Sequence, residues 1–228
     1  MCNRYRMTAR DFDIARARAL NIALPFDDFP NLPPPELFPK KSACVAREAD
    51  GRRILNVMSW GFPHLVKTPK TGKVVEKAVT NVRNYASAMW RMALASPGRR
   101  CLVPVTEFSE YGPGVPGKLP LHWFSIPSRP VFAFAGVWRP VGDGAVFAFL
   151  TCEPNPLVAD VHPKAMPVIL HEDDYDRWLT CDFVSAIELA APYPSQLMAV
   201  GRHIPSSGPG ETEVEEVQET GLLDVIAD

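Results

Sequence analysis

The second residue of the chain, Cys2, is the one whose type and position point most directly to chemistry. A cysteine is small enough for the initiator methionine to be removed, and the mature chain would then carry an α-amine and a thiol on adjacent carbons. The amine has an ordinary pKa of roughly 8, and nearby cations such as Arg4 or Arg6 are expected to lower the thiol pKa from about 8.5. Both groups can add to one aldehyde carbon and close a thiazolidine ring, or act as nucleophile and base in amide hydrolysis. Position alone favours an idle residue near a frayed terminus, so the assignment depends on the rest of the chain.

Two further stretches place polar side chains in otherwise apolar surroundings. Asn81, Arg83 and Asn84 stand between a basic loop and a predicted helix start, where exposed amides and an arginine suit a phosphate. Plain capping explains Asn84 but neither of the other two. Glu107 and Glu110 lie in an aromatic, β-type segment, where a carboxylate can have a raised pKa and act as an acid or base. A solvent-facing role is expected for one of these two glutamates.

A histidine precedes a short apolar strand near residue 165. His162 stands there alone, and a lone histidine is more often a structural group than a catalyst. Its neighbours Pro163 and Lys164 make a shaped, polar loop an open alternative. None of these four stretches is specific when taken singly.

The elements that must position these residues are mostly short strands. Twenty-four prolines argue for short strands and fixed loops rather than long helices. Alternation and turn residues predict strands over 43–48, 53–60, 101–106, 121–126, 131–138, 145–151, 167–170 and 198–204. Periodicity and capping predict helices over 9–20, from Asn84 or Ser87 to about 95, 172–179 and 182–190. Loops are expected over 24–39, which is proline-rich, and over 67–77, which is basic.

This pattern predicts an α+β fold, with an antiparallel, partly closed β-sheet core and a few peripheral helices. We expect one domain over residues 1–205, followed by an acidic, disordered tail over 206–228. Residues 211–228 hold seven acids and no base, which leaves residues 1–210 with 24 basic and 19 acidic side chains, a net charge of +5. Although the whole chain carries −2, the body can therefore present a local phosphate-binding face. A solvated, mixed surface explains the same charges.

The five cysteines are scattered and odd in number, and no Cys/His spacing typical of zinc is present. We expect free thiols, no metal and no cofactor. The N-terminus is polar and basic, and the longest apolar stretches are too short for a membrane-spanning helix. A soluble, cytoplasmic protein is expected.

Five stretches stand in a fixed order along the chain: MCNRY (1–5), WGFP (60–63), NVRN (81–84), RCLVPVTEFSEY (100–111) and HPKAMPVIL (162–170). Together they resemble the SOS response-associated peptidase (SRAP) family, also called abasic-site processing proteins. That family has Met-Cys-Gly-Arg-Tyr/Phe, Trp-Gly-Leu/Met-x-Pro, Asn-Ala-Arg-Ser/Asn-Glu, Arg-Cys-Leu-x-Pro…Phe-x-Glu-Trp/Tyr and His-x-x-Met-Pro-Val-Ile-Leu at these places. The resemblance covers about residues 1–180, with FAGVW (134–138) and DRWL (176–179) as further landmarks.

The resemblance implies a protein that binds single-stranded DNA and traps the ring-opened aldehyde of an abasic site. Cys2 would form the crosslink, its amine giving a Schiff base and its thiol closing a thiazolidine. Glu110 would be the catalytic acid/base, and His162 would assist sugar ring opening and crosslink reversal. Asn81 would position the sugar or the Cys2 amine. The family name also suggests a peptidase activity, in which Cys2 and Glu110 remove Met1.

DNA contacts are implied as well. Arg4 and Arg83 match phosphate-contacting arginines, and Trp60 matches an aromatic beside the DNA, in keeping with single-strand binding by stacking and phosphate contacts. The segment after His162 is one residue longer than the common pattern, and Lys164 is the substitute for its arginine. We expect a monomer that associates with the nucleoid when it is bound to DNA.

Asn3 replaces the usual glycine after the nucleophile. Asparagine tolerates a positive φ better than most residues, so the turn is expected to survive. Tyr111 replaces the commoner tryptophan, which is a mild change.

Two other function classes compete with this reading. N-terminal-nucleophile amidohydrolases, including glutamine amidotransferases, can also begin Met-Cys, but they usually continue Gly-Ile-Val/Phe-Gly rather than Asn-Arg-Tyr-Arg. A non-catalytic DNA-binding module would bind in a salt-sensitive manner and form no covalent product.

Overall fold

A computed structural model describes residues 2–7, 20, 34–115, 118–203 and 215–218. The predicted helix 9–20, except for Leu20, and residues 24–33 of the proline-rich loop lie outside the described residues. So does the acidic tail, apart from one short strand.

Short strands make up most of the regular structure. They are β1 Tyr5–Arg6, β2 Glu36–Leu37, β3 Ser42–Ala49, β4 Arg52–Trp60, β5 Phe62–Lys67, β6 Val74–Val79, β7 Asn81–Val82, β8 Arg100–Val105, β9 Glu107–Tyr111, β10 Leu121–Ser125, β11 Phe132–Val141, β12 Gly144–Cys152, β13 Met166–Pro167, β14 Ile169–Leu170, β15 Ala199–His203 and β16 Glu215–Gln218. The α-helices are α1 Ala88–Ala95, α2 Pro156–Ala159, α3 Tyr175–Thr180 and α4 Phe183–Glu188, with 3₁₀ turns at Pro97–Arg99, Glu172–Asp174 and Ser195–Leu197.

The larger sheet closes on itself. Strand β12 pairs with β4, β4 with β3, β3 with β8, β8 with β11, and β11 with β12 again, so five strands form a ring. All these pairs are antiparallel except β12–β4, and β7 adds a second parallel pair to β12. The prediction of an α+β fold with a partly closed sheet is therefore confirmed, and the parallel pairs are an addition to it.

The second sheet carries the N-terminal strand. Its order is β16-β15-β10-β9-β1-β2, and β1 lies between β2 and β9. Side chains alternate along β1: Tyr5 is fully buried, whereas Arg4 and Arg6 on either side are half-buried. The N-terminal segment is therefore attached to the core by the buried side chains of Cys2, Tyr5 and Met7, and its two arginines face outward.

Aromatic rings fill the space between the two sheets. The Tyr5 ring lies 5.1 Å from that of Trp60 and 6.2 Å from those of Phe134 and Phe149, all in edge-on contact. Edge-to-face pairs at these distances stabilise beyond their buried area, by about 0.5–1.5 kcal/mol each. This cluster joins β1 to the ring of strands and so sets the position of Cys2.

Some predicted elements differ from the observed ones. The predicted loop 67–77 is confirmed over 68–73 and wrong at its ends, because β5 and β6 form a hairpin on either side of it. Most side chains on β6 are exposed on both faces, so the strand lacks the alternation that a half-buried strand shows. The proline-rich segment 24–39 contains β2 near its end. The predicted strand 167–170 changes partner at Val168, pairing first with β12 and then with β11.

The remaining differences are small. The predicted helix 172–179 begins as a 3₁₀ turn and becomes α-helical only at Tyr175. Helix α1 begins after Ser87, not directly after Asn84, whose side chain instead accepts a hydrogen bond from the Ala86 amide at 3.2 Å. Asp182 caps α4 as predicted, accepting from the amides of Val184 and Ser185. Within the described residues, no helix has the length and apolar character needed to cross a membrane.

Candidate active site

The segment before β1 places Cys2 deep in the molecule. The Cys2 side chain has no exposed surface, and its Sγ donates a hydrogen bond to the Arg4 carbonyl oxygen at 3.4 Å. The same oxygen accepts from the Ser109 amide at 3.0 Å, which ties the segment to β9. Cys2 is thus buried and fixed by hydrogen bonds to its segment, and it is not an idle residue at a frayed terminus.

The environment of Cys2 raises the pKa of its thiol, contrary to the expected lowering. Burial raises the pKa of the Cys2 thiol well above its ordinary value, and the charge of Glu110 acts in the same direction. The predicted lowering by Arg4 or Arg6 is wrong, because both guanidiniums point to the outward face and pair with carboxylates there. A thiol here is neutral near pH 7 and must lose its proton during the reaction rather than before it.

Asn81 on β7 binds the backbone of the candidate nucleophile. Its Nδ2 donates to the Cys2 carbonyl oxygen at 3.1 Å and to Thr80 Oγ1 at 2.8 Å. Thr80 Oγ1 in turn donates to Asn3 Oδ1 at 3.4 Å. Asn81 Oδ1 is buried and has no hydrogen-bond partner within the described part of the chain, so it can accept a bond from a ligand or an amine.

Asn3 stands at the position of the usual glycine, and its side chain takes part in this chain of hydrogen bonds. Asn3 is exposed, and among the described non-glycine residues only Lys40 and Asp50 have a positive φ. The local backbone therefore does not need the conformational freedom of glycine at this position.

Glu110 on β9 is a buried carboxyl group. Burial raises the pKa of this carboxyl to about 7, and the charge of the amino terminus, together with a hydrogen bond from it, acts in the opposite direction. A group with this pKa is partly protonated and partly ionised near neutral pH, as an acid/base catalyst requires. His122 stands directly opposite on β10. The sequence contains no sign of this second residue, because only the β9–β10 register brings the two together.

His162 follows α2 in a tight turn. Its amide donates to the Val158 carbonyl at 2.7 Å, and its Nδ1 lies 3.1 Å from the Ala165 carbonyl oxygen. A neutral ring that donates from Nδ1 to this carbonyl has Nε2 as its acceptor. Burial, the charge of the amino terminus and the charge of Lys164 lower the pKa of His162 below its ordinary value. The imidazole is therefore a neutral base at pH 7.

The amino terminus of the chain with Met1, one residue before Cys2, affects all of these groups. Its positive charge acts on the pKa of the Cys2 thiol, the Glu110 carboxyl and the His162 ring. The charge of Glu110 also acts on the Cys2 thiol, so these two side chains lie near each other. With Asn81 bonded to the Cys2 carbonyl, Cys2, Asn81 and Glu110 lie together, and a single site that also includes His162 stays a prediction.

The predicted DNA-binding residues are more scattered. Arg83 and Lys164 are exposed, two residues beyond Asn81 and His162, and Arg83 lies 3.5 Å from the Glu153 carboxylate. Arg4 is half-buried and paired with Glu36.

Trp60 is different, and its predicted place beside the DNA is wrong. The side chain is fully buried, stacks on Phe149 at 5.2 Å, and donates from Nε1 to the Thr80 carbonyl at 3.1 Å. Its hydrogen bond fixes the backbone directly before Asn81, and its buried ring cannot stack on a base. Tyr111, the residue after Glu110 on β9, has an exposed ring, and strand alternation points it to the opposite face from Glu110.

Among the described residues, no group of three or more His, Cys, Asp or Glu side chains is arranged so that it could hold a metal ion. All five cysteines are free thiols.

Solved structures share this fold. A protein from Bacteroides thetaiotaomicron superposes with a TM-score of 0.69 at 17% identity, covering 88% of this chain and 91% of that one. A protein from Bordetella bronchiseptica gives a TM-score of 0.67 at 19% identity, covering 88% and 99%. At these identities the likeness is one of fold.

Sequence relatives are more informative. The chain is 27% identical to the abasic site processing protein YoqW of Bacillus subtilis (strain 168), over 78% of this chain and 80% of the relative. It is 25% identical to the abasic site processing protein YobE of the same organism, over 78% and 82%. The family model for SOS response associated peptidase (SRAP) matches residues 1–205. Because that match spans most of its length and includes every candidate site residue, the chain belongs to the SRAP family.

Proposed function

We propose that this protein processes abasic sites in single-stranded DNA by forming a covalent bond through Cys2. The observation that carries the proposal is the convergence of a buried cysteine, a carboxyl group with a pKa of about 7 and a buried amide at the start of the chain. Relatives named as abasic site processing proteins support the choice of substrate.

The proposed reaction begins once Met1 has been removed. The Cys2 amine attacks the C1′ aldehyde of the ring-opened sugar, and water leaves to give a Schiff base. The Cys2 thiol then adds to the same carbon, its proton passing to the nitrogen, and a thiazolidine closes. One water is lost overall and no oxidant is needed. Because the thiol is neutral in its buried state, the amine is the first nucleophile.

Glu110 is proposed as the acid/base. Its ionised form accepts a proton from the Cys2 ammonium, and its protonated form donates to the hydroxyl that leaves as water. A pKa of about 7 makes both forms available in the same pH range.

His162 and Asn81 are proposed to act on the sugar and the amine. The neutral imidazole of His162 accepts the proton from the sugar hydroxyl during ring opening and assists reversal. The unpartnered Oδ1 of Asn81 accepts a bond from the Cys2 amine or the sugar, while Nδ2 holds the Cys2 carbonyl.

Binding of the DNA strand is proposed to use phosphate contacts from Arg4, Arg83 and Lys164, with the exposed ring of Tyr111 as a candidate for base stacking. The reaction needs no cofactor or metal. A monomer suffices, since every group in the scheme comes from one chain. Removal of Met1 by Cys2 and Glu110 is part of the proposal, and retention of Met1 in a Glu110→Ala protein, measured by intact mass, is its expected signature.

The amidohydrolase alternative uses the same N-terminal amine and thiol. It predicts glutamine hydrolysis by the purified protein. A binding module without catalysis predicts salt-sensitive DNA binding and no covalent product.

The test is a denaturing gel with a single-stranded oligonucleotide that carries one abasic site. The wild-type protein should give an adduct that survives denaturation, and Cys2→Ala should give none. Cys2→Ser is the matched variant. Its amine still permits a Schiff base, but it lacks the thiol that closes the thiazolidine, so an adduct should appear only after borohydride reduction. A wild-type yield from Cys2→Ala would refute the proposal.

A further inference from the structure

The two arginines of the N-terminal segment share one carboxylate. Arg4 binds Glu36 Oε1 through both Nε and Nη2. Arg6 binds Glu36 Oε2 from Nε at 3.3 Å and Glu107 Oε1 from Nη1 at 2.7 Å. The outward face of β1 therefore holds two cations and two anions, and their formal charges cancel.

Aromatic rings hold the guanidiniums in place. The Arg4 guanidinium carbon lies 5.2 Å from the ring of Phe38 and 5.3 Å from that of Trp123, and the Arg6 guanidinium carbon lies 3.8 Å from Trp123. Contacts over a ring face restrict the guanidinium plane. The edge of Arg4, with its N–H groups, is left for an anion.

The Arg4–Glu36 pair is reachable from solvent. The Arg4 side chain is 28% exposed and that of Glu36 is 26% exposed. Glu36 lies on β2, opposite Arg6 on β1, so backbone pairing keeps its carboxylate close to the arginines. An incoming anion would meet a guanidinium already occupied.

A phosphate would use the same N–H groups. Arginine binds carboxylate and phosphate through the same kinds of donor, and Glu36 already takes the Nε/Nη2 edge of Arg4 and neutralises its charge, so a phosphate is bound less strongly. We propose that Glu36 is an internal competitor for the strand phosphate at Arg4. It keeps non-covalent affinity for undamaged single strands low, so that retention on DNA depends on the bond at Cys2. This inference rests on the proposed function.

The experiment measures binding of a fluorescent, undamaged single-stranded oligonucleotide at one fixed salt concentration, because such affinities depend strongly on salt. The full chain is compared with Glu36→Gln, an isosteric change that removes the charge. Loss of a partly exposed ion pair should raise the affinity about two- to fivefold. An unchanged or lower affinity would mean that Glu36 merely positions Arg4, and it would overturn the proposal.

Two further variants distinguish competition by Glu36 at Arg4 from the general effect of removing a negative charge from this face. Glu107→Gln removes an equal charge from the same face, but Glu107 bonds to Arg6 and not to Arg4. Its gain in affinity should be clearly smaller, and an equal gain would overturn the proposal. In an Arg4→Gln background, Glu36→Gln should change affinity by less than about twofold, because the contested donors are gone.

Thermal unfolding of each variant checks that the fold is retained. Crosslinking of wild-type protein to an abasic oligonucleotide in the same preparation tests the proposed function separately. If that crosslink fails to form, the proposed function fails. If it forms while Glu36→Gln leaves binding unchanged, only the role of Glu36 fails.

Discussion

The buried carboxyl of Glu110 illustrates how one residue can join function to stability. Its side chain is 5% exposed, and burial raises its pKa from an ordinary 4.5 to about 7. Desolvation of the ionised form is the cause. The pKa that suits acid/base chemistry therefore comes with a stability that depends on pH.

The direction of this dependence follows from the raised pKa. Below about pH 4.5 the carboxyl is protonated in both the folded and the unfolded chain, and its full favourable contribution is present. As pH rises towards 7, the unfolded chain releases its proton first, so that contribution to the free energy of unfolding is lost. Glu110→Gln does not titrate. It should therefore gain stability relative to wild type between pH 4.5 and 7, by at most about 3 kcal/mol.

Denaturant unfolding of both proteins at several pH values between 4 and 8 measures this difference. The half-buried Glu107, three residues earlier on the same strand, supplies the control. Glu107→Gln should show no comparable gain between pH 4.5 and 7. A Glu110→Gln protein that loses stability relative to wild type over that interval would contradict the assigned direction.

At the scale of elements, a single buried arginine joins β8 to the end of α3. Arg100 has no exposed surface, and its Nη1 donates to the Trp178 carbonyl at 2.6 Å while Nη2 binds the Cys181 carbonyl. These carbonyls lie in the last turn of α3 and just beyond it, where a helix has unpaired acceptors and a partial negative charge. The Arg100 guanidinium donates hydrogen bonds to these acceptors, and its positive charge offsets the partial negative charge of the helix end.

Arg100→Met keeps much of the volume but removes the donors. Buried carbonyls without partners cost about 1–3 kcal/mol each, so the free energy of unfolding should fall by about 2–4 kcal/mol. The neighbouring Arg99, which is half-buried and lies over the Trp138 ring, supplies the matched variant. Arg99→Met should cost less than about 1 kcal/mol. Equal losses in the two variants, measured by denaturant unfolding, would exclude the proposed contribution of the α3 carbonyls.

At the scale of the whole molecule, closure of the five-strand ring depends on close approach of β8 and β11. Gly136 on β11 stands opposite Cys101 on β8. A Cβ atom at Gly136 would lie 2.8 Å from both Cys101 Sγ and Val103 Cγ2, and 3.2 Å from the Cys101 carbonyl oxygen. The space between these strands admits no side chain.

Gly136→Ala should therefore destabilise the protein by about 1–3 kcal/mol through overpacking. Gly98→Ala is the control, since a Cβ there meets no atom within 4 Å. Thermal unfolding should show a lower midpoint for the first variant and little change for the second. A Gly136→Ala protein as stable as wild type would mean that the ring can widen at this point.

The order of short motifs was enough to identify the candidate catalytic residues and the fold class. Cys2, Asn81, Glu110 and His162 were all predicted from local sequence, because the resemblance is carried by residues adjacent to each of them. Most of the longer strands were also predictable, since alternation in β4 and continuous apolar runs bounded by turn residues in β11 and β12 are local signals. The β5–β6 hairpin was missed because exposure on both faces removes that alternation.

Only the tertiary structure decided the burial, the ion pairs and the pKa values of these residues. The arginine expected to lower the thiol pKa pairs instead with Glu36, 32 positions away in the chain. Trp60 is buried behind Thr80 rather than placed beside DNA, and His122 meets Glu110 only through strand register. Local sequence determined which groups can react, because side-chain chemistry belongs to each residue. Burial, pairing and pKa depend on contacts between residues distant in the chain, so they are set only when β1 pairs with β2 and β9 and the two sheets pack together.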